Sequence, residues 1–210
     1  MKWKNEERKR RGYHHGNLRE ALMEAALSLI AEKGAAGFTF AEAARAAGVS
    51  AAAPYRHFRD KDALLAGVAR LGFERFSNML IKAWNDGQPS TEVAFTNLGK
   101  AYLAFARQEP AFFTAMFESG LSHADYPELR EAGDHAFNVL REACEAVVSA
   151  IPSEKRPPAM MMALHIWSLS HGIASLFARG DRARRPIPME PEDLLEAASL
   201  IYMDGLSKDR

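Results

Sequence analysis

The sequence predicts an all-α protein of about nine helices, in which a three-helix N-terminal domain containing a helix-turn-helix precedes a larger helical domain. Three observations support this class. Apolar residues recur every three or four positions along most of the 210 residues, which is the period of an amphipathic helix. Residues that favour helix caps, and glycines that favour helix ends, stand at the boundaries of these segments. The alternation typical of strands is missing from the sequence.

Four N-terminal helices are predicted, each beginning after a residue that favours an N-cap. Glu20 stands three residues after Asn17, the spacing of a capping box. Gly48 ends the second helix, whereas Gly67 and Gly72 weaken the long fourth one. The predicted ranges are 18–33 after Asn17, 40–47 after Thr39, 51–58 after Ser50 and 61–84 after Asp60.

The rest of the chain is also predicted to be helical, after a break at 86–90 that is rich in turn-forming residues. Helices are predicted over 91–108, 110–117, 126–150, 159–178 and 192–205, with Pro127 in a first turn. The 159–178 segment is apolar around much of its circumference, so we expect it to be buried on more than one side. The predicted divisions are an arm (1–16), a helix-turn-helix domain (17–60), a connecting helix (61–84) and a C-terminal helical domain (85–210).

Composition is typical of a globular protein, with 48% hydrophobic and 26% charged residues. There is no run of about 18 consecutive apolar residues, so no membrane span is expected. Residues 1–11 are charged and lack an apolar segment, so no secretory signal is expected. Cys144 is the only cysteine and forms no intramolecular disulfide, which favours a cytoplasmic location.

Charge is distributed unevenly although the net charge is zero. Residues 1–61 hold 12 Lys and Arg against 7 Asp and Glu, whereas the remainder holds 15 against 20. A basic N-terminal part on an acidic body suits a protein that presents one end to a polyanion. The arm either adds minor-groove or phosphate contacts or is a solubilising tail. Its charged and titratable residues include Lys9, Arg10, Arg11, His14 and His15.

The segment 38–65 is the most informative one for function. Gly48 and Val49 form a tight turn between two short predicted helices, as in a helix-turn-helix, where the second helix enters the major groove. Tyr55, Arg56 and His57 follow in succession on that second helix, with Arg59 and Lys61 just beyond it. These side chains donate hydrogen bonds to phosphates and bases, so the segment indicates DNA binding. The alternative is a solvated charged surface with Tyr55 as packing.

The same segment closely resembles the DNA-binding domain of the TetR family over about 50 residues. The matching motifs are Gly34-Ala-Ala-Gly-Phe-Thr39, Gly48-Val-Ser50, Tyr55-x-x-Phe58 and Lys61-Asp-Ala-Leu-Leu65. The resemblance implies phosphate contacts by Thr39, Ser50, Tyr55, His57 and Lys61. It implies base contacts by Ala51, Ala52, Ala53 and Arg56. The alanines depart from the family's commoner polar residues and leave methyl contacts to thymine, with Arg56 as the candidate for a guanine.

The segment 163–177 resembles the C-terminal domain of one TetR subgroup, named for its Trp, His and Gly. This resemblance implies a homodimer formed by the helices 159–178 and 192–205. The interface residues predicted by position are Trp167, Ser168, His171 and Gly172. The alternative is a core helix of a monomer.

The resemblance also implies a cavity that senses a small apolar or aromatic effector. Aromatic and Met side chains form adaptable apolar walls, although ordinary core packing uses the same residues. The predicted wall residues are Trp84, Phe105, Phe112, Phe113, Met116, Phe117, Met161, Met162 and Phe177.

Neither a metal site nor a cofactor is predicted. His165 and His171 are six residues apart, about 120° around a helix, so they are expected to be buried hydrogen-bonded side chains rather than ligands of one ion. Ser168, Ser170, His171 and Asp181 are residue types found in catalytic triads, but the sequence has no nucleophile elbow, phosphate loop or metal motif.

These observations predict a transcriptional repressor that binds palindromic operator DNA and is released by a small molecule. A DNA-binding regulator controlled by a protein partner is the alternative, and an enzyme on a helical scaffold is a remote one.

Overall fold

The computed structural model describes residues 18–153, 156–178 and 187–207. In these ranges it contains eight α-helices and short 3-10 turns but no strand, which confirms the predicted all-α class. The predicted cap Asn17, the arm 1–16 and Asp181 lie outside the described residues. The helices are α1 (Leu18–Lys33), α2 (Phe40–Ala46), α3 (Lys61–Trp84), α4 (Thr91–Gln108), α5 (Pro110–Phe117), α6 (Pro127–Ser149), α7 (Ala159–Ala178) and α8 (Pro191–Ser207).

Side-chain caps fix the starts of the N-terminal helices as the sequence predicts. The Thr39 hydroxyl accepts a hydrogen bond from the Glu42 amide, and the Glu42 carboxylate accepts one from the Thr39 amide, which forms a complete capping box. Asp60 caps α3 by accepting a hydrogen bond of 2.8 Å from the Ala63 amide. Pro127 occupies the first position of α6, where its missing N–H leaves no hydrogen bond unmade.

The predicted third helix over 51–58 is wrong. The segment contains a 3-10 turn, Ala53–Arg56, which begins without a side-chain cap, so Ser50 does not have its predicted capping role. The physical reason is Pro54, which is fully buried and has no N–H to donate into a regular α-helix. The other predicted ranges that differ are those of α2, at one end, and of α6 and α8, at both ends, in each case by one or two residues.

Helix α3 is the central element and packs against α1, α4, α5 and α6. Its first half buries Leu64 and Val68, and its second half buries Phe73 and Phe76. Gly72 does more than weaken this helix. A Cβ atom at that position would lie 2.8 Å from Met116 Sδ, so any larger residue there would force the Met116 side chain of α5 to shift.

Helix α7 packs against α4, α6 and α8. By length and composition alone it is apolar enough to cross a membrane, with a mean hydropathy of 1.2 over Ala159–Phe177, a property that core helices share. It buries Met162 and Ile166 against its neighbours, yet it leaves Met161, Leu164 and Leu176 exposed. Helix α7 therefore has a buried face and an exposed apolar stripe.

Candidate DNA-binding surface and effector cavity

A glycine forms the corner between α2 and residues 50–57, which we call the recognition turn. Gly48 has φ +75°, a conformation that side chains rarely adopt. The Gly48 amide donates to the Arg45 carbonyl and the Val49 amide to the Ala44 carbonyl, both over 3.0 Å. Ala44 is fully buried, so the corner is anchored in the core. The predicted turn therefore fixes the position of the residues that follow it.

Most side chains of the recognition turn face solvent. Pro54 is buried and Ala53 is half-buried, and these two residues hold the turn on the domain. Tyr55 is 62% exposed, and its ring packs edge-on against Phe40 with the centroids 5.1 Å apart. A hydroxyl, a guanidinium and an imidazole thus lie within three successive exposed residues, an arrangement able to donate to phosphates and base edges. The predicted contact residues that are exposed here are Ser50, Ala51, Ala52, Tyr55, Arg56 and His57.

Thr39 and Lys61, the other two predicted phosphate contacts, already have partners within the chain. The Thr39 hydroxyl is part of the capping box and also donates to Glu42 Oε2 over 3.0 Å. Lys61 Nζ donates to the Ala36 carbonyl over 3.1 Å and lies 4.6 Å from the centroid of the Phe38 ring. An ammonium has three donors, so Lys61 retains the capacity for a further contact.

An ion pair joins the end of α1 to the start of α2. Lys33 Nζ lies 2.8 Å from Glu42 Oε1. This hydrogen bond from Lys33, followed by those from Thr39, lowers the pKa of Glu42 to about 2. Glu42 is therefore ionised at neutral pH and holds the capping box and the ion pair together.

Arg59 links the recognition turn to the helical body. Its guanidinium donates a hydrogen bond of 3.1 Å to the Tyr126 hydroxyl and lies 5.4 Å from the centroid of that ring. Tyr126 immediately precedes α6 and follows the 3-10 turn His123–Asp125. The sequence identified Arg59 only as a donor near the recognition turn, because no local pattern indicates a partner 67 residues away.

A cavity of about 520 Å³ lies between α3, α4, α5, α6 and α7. This volume is in the range of small-molecule sites. Helix α3 contributes Phe73, Phe76 and Leu80 to its wall. Residues of the α5–α6 connection also line it, among them Ser119 and His123. Helix α3 therefore begins beside the recognition turn and forms part of the cavity wall.

Two of the nine predicted wall residues, Met116 and Phe117, line this cavity. The other seven do not: Phe105, Phe112, Phe113 and Met162 are buried in the core, Trp84 and Phe177 are half-buried, and Met161 is exposed. The sequence signal for the missed wall was present on α3, where Phe73, Phe76 and Leu80 have the i, i+3, i+7 spacing of one helix face.

Tyr102 and His171 form a polar pair at the cavity. The Tyr102 hydroxyl and His171 Nδ1 share a hydrogen bond of 2.9 Å. The Phe113 ring stacks on the His171 imidazole, with centroids 5.4 Å apart and planes inclined by 19°. Burial lowers the pKa of His171 and raises that of Tyr102, so both side chains are neutral at pH 7.

The four predicted interface residues divide between two faces of α7. Trp167 lines the cavity and His171 contacts Tyr102, so these two point into the protein. Ser168 and Gly172 are exposed, on the same stripe as Met161 and Leu164.

In the ranges 18–153, 156–178 and 187–207, no cluster of three His, Cys, Asp or Glu residues could hold a metal ion. Each α7 histidine is hydrogen-bonded to a tyrosine, His165 to Tyr202 over 3.2 Å and His171 to Tyr102. The expectation that both are buried is wrong. His165 is exposed, since it meets Tyr202 of α8 at the surface, and His171 is half-buried beside Tyr102.

Comparisons with known proteins match both parts of the chain. Residues 22–68 match the model of bacterial regulatory proteins of the tetR family, and residues 95–199 match a tetracyclin repressor-like C-terminal domain. A search of curated proteins gives no significant match.

Similar solved structures cover nearly the whole chain. A Rhodococcus protein of unknown function is 30% identical, with a TM-score of 0.76 over 94% of this chain and 100% of that one. The TetR-family regulator PfmR from Thermus thermophilus is 21% identical, with a TM-score of 0.66 over 89% and 99% of the two chains. The fatty acid degradation regulator FadR from Bacillus halodurans is 16% identical, with a TM-score of 0.71 over 92% and 98%. With both domains matched in chain order, this protein belongs to the TetR family and has the fold of a DNA-binding transcriptional regulator.

Proposed function

We propose that this protein is a cytoplasmic repressor that binds palindromic operator DNA as a homodimer and is released by a small molecule. The observation that carries the proposal is the course of α3. Its first residue, Lys61, lies beside the recognition turn, while Phe73, Phe76 and Leu80 of the same helix line a cavity of about 520 Å³. A ligand that changes the cavity wall would therefore act on the element that supports the DNA-binding surface.

The recognition turn supplies the proposed DNA contacts. Ser50, Tyr55 and His57 would contact phosphates, and Lys61 would reach a phosphate with a donor not used by the Ala36 carbonyl. Arg56 would pair with a guanine, since its exposed guanidinium is suited to two parallel hydrogen bonds with that base. The exposed methyl groups of Ala51 and Ala52 would contact thymine.

A second copy of the chain would cover the exposed apolar stripes of α7 and α8. On α8, Leu200 is 64% and Ile201 75% exposed, and on α7 Leu164 and Leu176 are each nearly half exposed. Exposed apolar surface of this kind marks protein interfaces. Small exposed residues of the α7 stripe, Ser168 and Gly172, would let two helices approach closely. A two-fold dimer presents two recognition turns and so selects a palindromic operator.

Release from the operator would follow from thermodynamic linkage between ligand binding and DNA binding. A ligand shifts the equilibrium only through its different affinities for the DNA-binding and the non-binding conformations. The conformations would differ in the position of α3 relative to α6 and in the spacing of the two recognition turns.

The test begins with operator selection. The purified protein should enrich a palindromic sequence from random duplexes, and small apolar compounds should release the selected duplex in a fluorescence anisotropy assay. Ala136→Leu, which adds bulk to the buried cavity wall, should retain operator binding and lose release. Ala31→Leu, at an exposed position of α1, is the matched control and should behave as the wild type. Operator binding that no compound reverses and that Ala136→Leu leaves unchanged would favour control by a protein partner instead.

A further inference from the structure

The interior of the cavity is dominated by aromatic rings. In the described ranges, seven of the lining side chains are Phe, Tyr or Trp, and they come from α3, α4, α5, α6 and α7. Phe73, Phe76, Phe95, Phe137 and Trp167 are among them. Flat rings that surround a space favour a flat occupant, because offset stacked and edge-to-face contacts both become available to it.

The charges of the lining residues discriminate against an anion. Among the residues that the structure describes, none that lines the cavity is Lys or Arg. Asp134, the one carboxylate among them, is exposed. A ligand carboxylate would lose its water shell without gaining a cation, a costly transfer unless the charge is paired. The lining therefore favours an uncharged ligand.

Ser170 provides a specific polar group on the α7 side of the cavity. It lines the cavity and is only 3% exposed. Ser77, the other buried serine, donates to the Glu74 carbonyl, and Ser168 donates to the Leu164 carbonyl. In the described parts of the chain, by contrast, no hydrogen bond reaches the Ser170 hydroxyl. Because this hydroxyl opens on the cavity, an apolar ligand would bury it without a partner, which is costly, whereas a ligand atom that pairs with it avoids that cost.

Tyr102 does not compete for this role. Its hydroxyl also belongs to a residue of the cavity wall, but it is already engaged with His171 Nδ1. Ser119 also lines the cavity without a hydrogen bond to its hydroxyl, but it is half-buried in the α5–α6 connection. Among the described residues, Ser170 is thus the buried wall hydroxyl whose hydrogen-bonding capacity is unused.

We infer that the cavity binds an uncharged aromatic molecule that carries one hydroxyl or carbonyl group, which hydrogen-bonds to Ser170. This inference rests on the proposed function, since it specifies the chemistry of the effector. It separates the ligand from carboxylates of the same size and shape. It also predicts that the hydrogen bond to Ser170 makes a hydroxyl- or carbonyl-substituted aromatic bind more tightly than the unsubstituted hydrocarbon.

Three probes of one shape test the inference: 2-naphthol, naphthalene and 2-naphthoate, titrated calorimetrically into the full chain at pH 7. We expect 2-naphthol to bind. Naphthalene should bind on the order of fivefold more weakly, because it lacks one hydrogen bond. The carboxylate of 2-naphthoate finds no cation, so this probe should bind at least about tenfold more weakly than 2-naphthol. Ser170→Ala should remove the advantage of 2-naphthol over naphthalene. Ser28→Ala, at an exposed position of α1 where the hydroxyl donates to the Glu24 carbonyl, should retain it. Circular dichroism melts check that both variants fold.

The possible outcomes distinguish failure of the inferred ligand chemistry from failure of the proposed function. Binding of 2-naphthoate as tight as that of 2-naphthol would overturn the ligand class, while the cavity would stand as an effector site. An advantage of 2-naphthol that persists in Ser170→Ala would overturn the role of Ser170. Absence of binding by all three probes would overturn the inference. The proposed function fails separately, if bound 2-naphthol and every other cavity ligand leave operator affinity unchanged.

Discussion

The Arg59 guanidinium lies over the Tyr126 ring and donates a hydrogen bond of 3.1 Å to its hydroxyl, which joins the DNA-binding domain to the helical body. On the body side, Tyr126 follows the 3-10 turn His123–Asp125. His123 lines the cavity, and its ring packs edge-on against Phe73 of α3 with the centroids 5.9 Å apart. A continuous set of contacts therefore runs from the cavity wall to a residue just past the recognition turn.

Tyr126→Phe tests whether this contact transmits the ligand signal. The variant loses the hydroxyl that Arg59 contacts but keeps the ring, so ligand affinity should stay the same. The factor by which 2-naphthol weakens operator binding should fall several-fold, since coupling between sites is typically about 1–3 kcal/mol. Fluorescence anisotropy of an operator duplex with and without ligand gives this factor. Tyr202→Phe, which removes a hydroxyl bonded to His165, is the control. An unchanged factor in Tyr126→Phe would show that coupling bypasses this contact.

Glu42→Gln should destabilise the protein in a pH-dependent way. The Lys33 hydrogen bond, with those of Thr39, lowers the pKa of Glu42 from 4.5 to about 2 in the folded state. A lowered folded pKa contributes stability that is complete above the unfolded value and is lost as pH falls through the folded value. The melting temperature of the variant should be below that of the wild type at pH 7, by a few degrees, and the gap should narrow between pH 4.5 and 2. Glu24→Gln, exposed on α1, is the control. A gap of constant size from pH 7 to pH 2 would contradict the ionic origin of the effect.

The sequence predicts those features of the fold that depend on residues close together along the chain. Thr39 and Asp60 mark helix starts through bonds to residues three positions away, and both are confirmed as caps. Ser50 predicts a helix start by the same local rule, but residues 53–56 form a 3-10 turn, because Pro54 has no N–H for the hydrogen bond that an α-helix over 51–58 would need at its fourth residue.

The cavity could be predicted only in part, because its existence is not a local property. Periodicity identifies the residues of α3, α4 and α6 that face inward. It does not reveal whether opposing side chains fill the space between them. Met116 and Phe117 line the cavity, while Phe112 and Phe113 of the same helix are packed in the core. The pairing of Arg59 with Tyr126 is equally invisible in sequence, since it depends on how two distant segments meet.

Gly72→Ala should lower ligand affinity more than stability. A Cβ atom there would lie 2.8 Å from Met116 Sδ and 3.1 Å from Phe112 Cδ1. The end of a Met side chain moves easily, and Met116 already lines the cavity, so it should shift into the space a ligand needs. We expect 2-naphthol to bind on the order of five- to tenfold more weakly to the variant. The free energy of unfolding should change less, because an overpacking cost of about 1–3 kcal/mol is partly offset by the higher helix propensity of Ala. Calorimetric titration and thermal unfolding measure the two effects. Gly205→Ala, where a Cβ meets nothing within 4 Å, is the control. Unchanged affinity in Gly72→Ala would show that Met116 does not move into the cavity.

Leu200→Glu combined with Ile201→Glu should convert a dimer into a monomer. Both side chains are exposed on α8, and burying two carboxylates in an apolar interface is strongly unfavourable. Light scattering at micromolar concentration should give roughly twice the chain mass of 23.3 kDa for the wild type and the single chain mass for the variant. Val93→Glu, at an exposed apolar position of α4, should remain dimeric. A monomeric wild type would contradict the proposed dimer and the expectation of a palindromic operator.

The last prediction separates the two kinds of DNA contact proposed for the recognition turn. Arg56→Ala should cost about 1–3 kcal/mol on the selected operator and relax preference at one base pair, with a smaller effect on random DNA. Lys61→Ala should weaken binding to both and reduce the salt dependence by about one counterion. Because Lys61 also donates to the Ala36 carbonyl, the thermal unfolding of the Lys61→Ala variant must be measured together with its DNA affinity. Lys82→Ala, exposed in the last turn of α3, is the control for loss of a positive charge. The measurement is affinity against salt for each variant on operator and random duplexes. Equal weakening of both duplexes by Arg56→Ala would make Arg56 a phosphate contact, and specificity would then lie in the alanine methyl groups or in DNA shape.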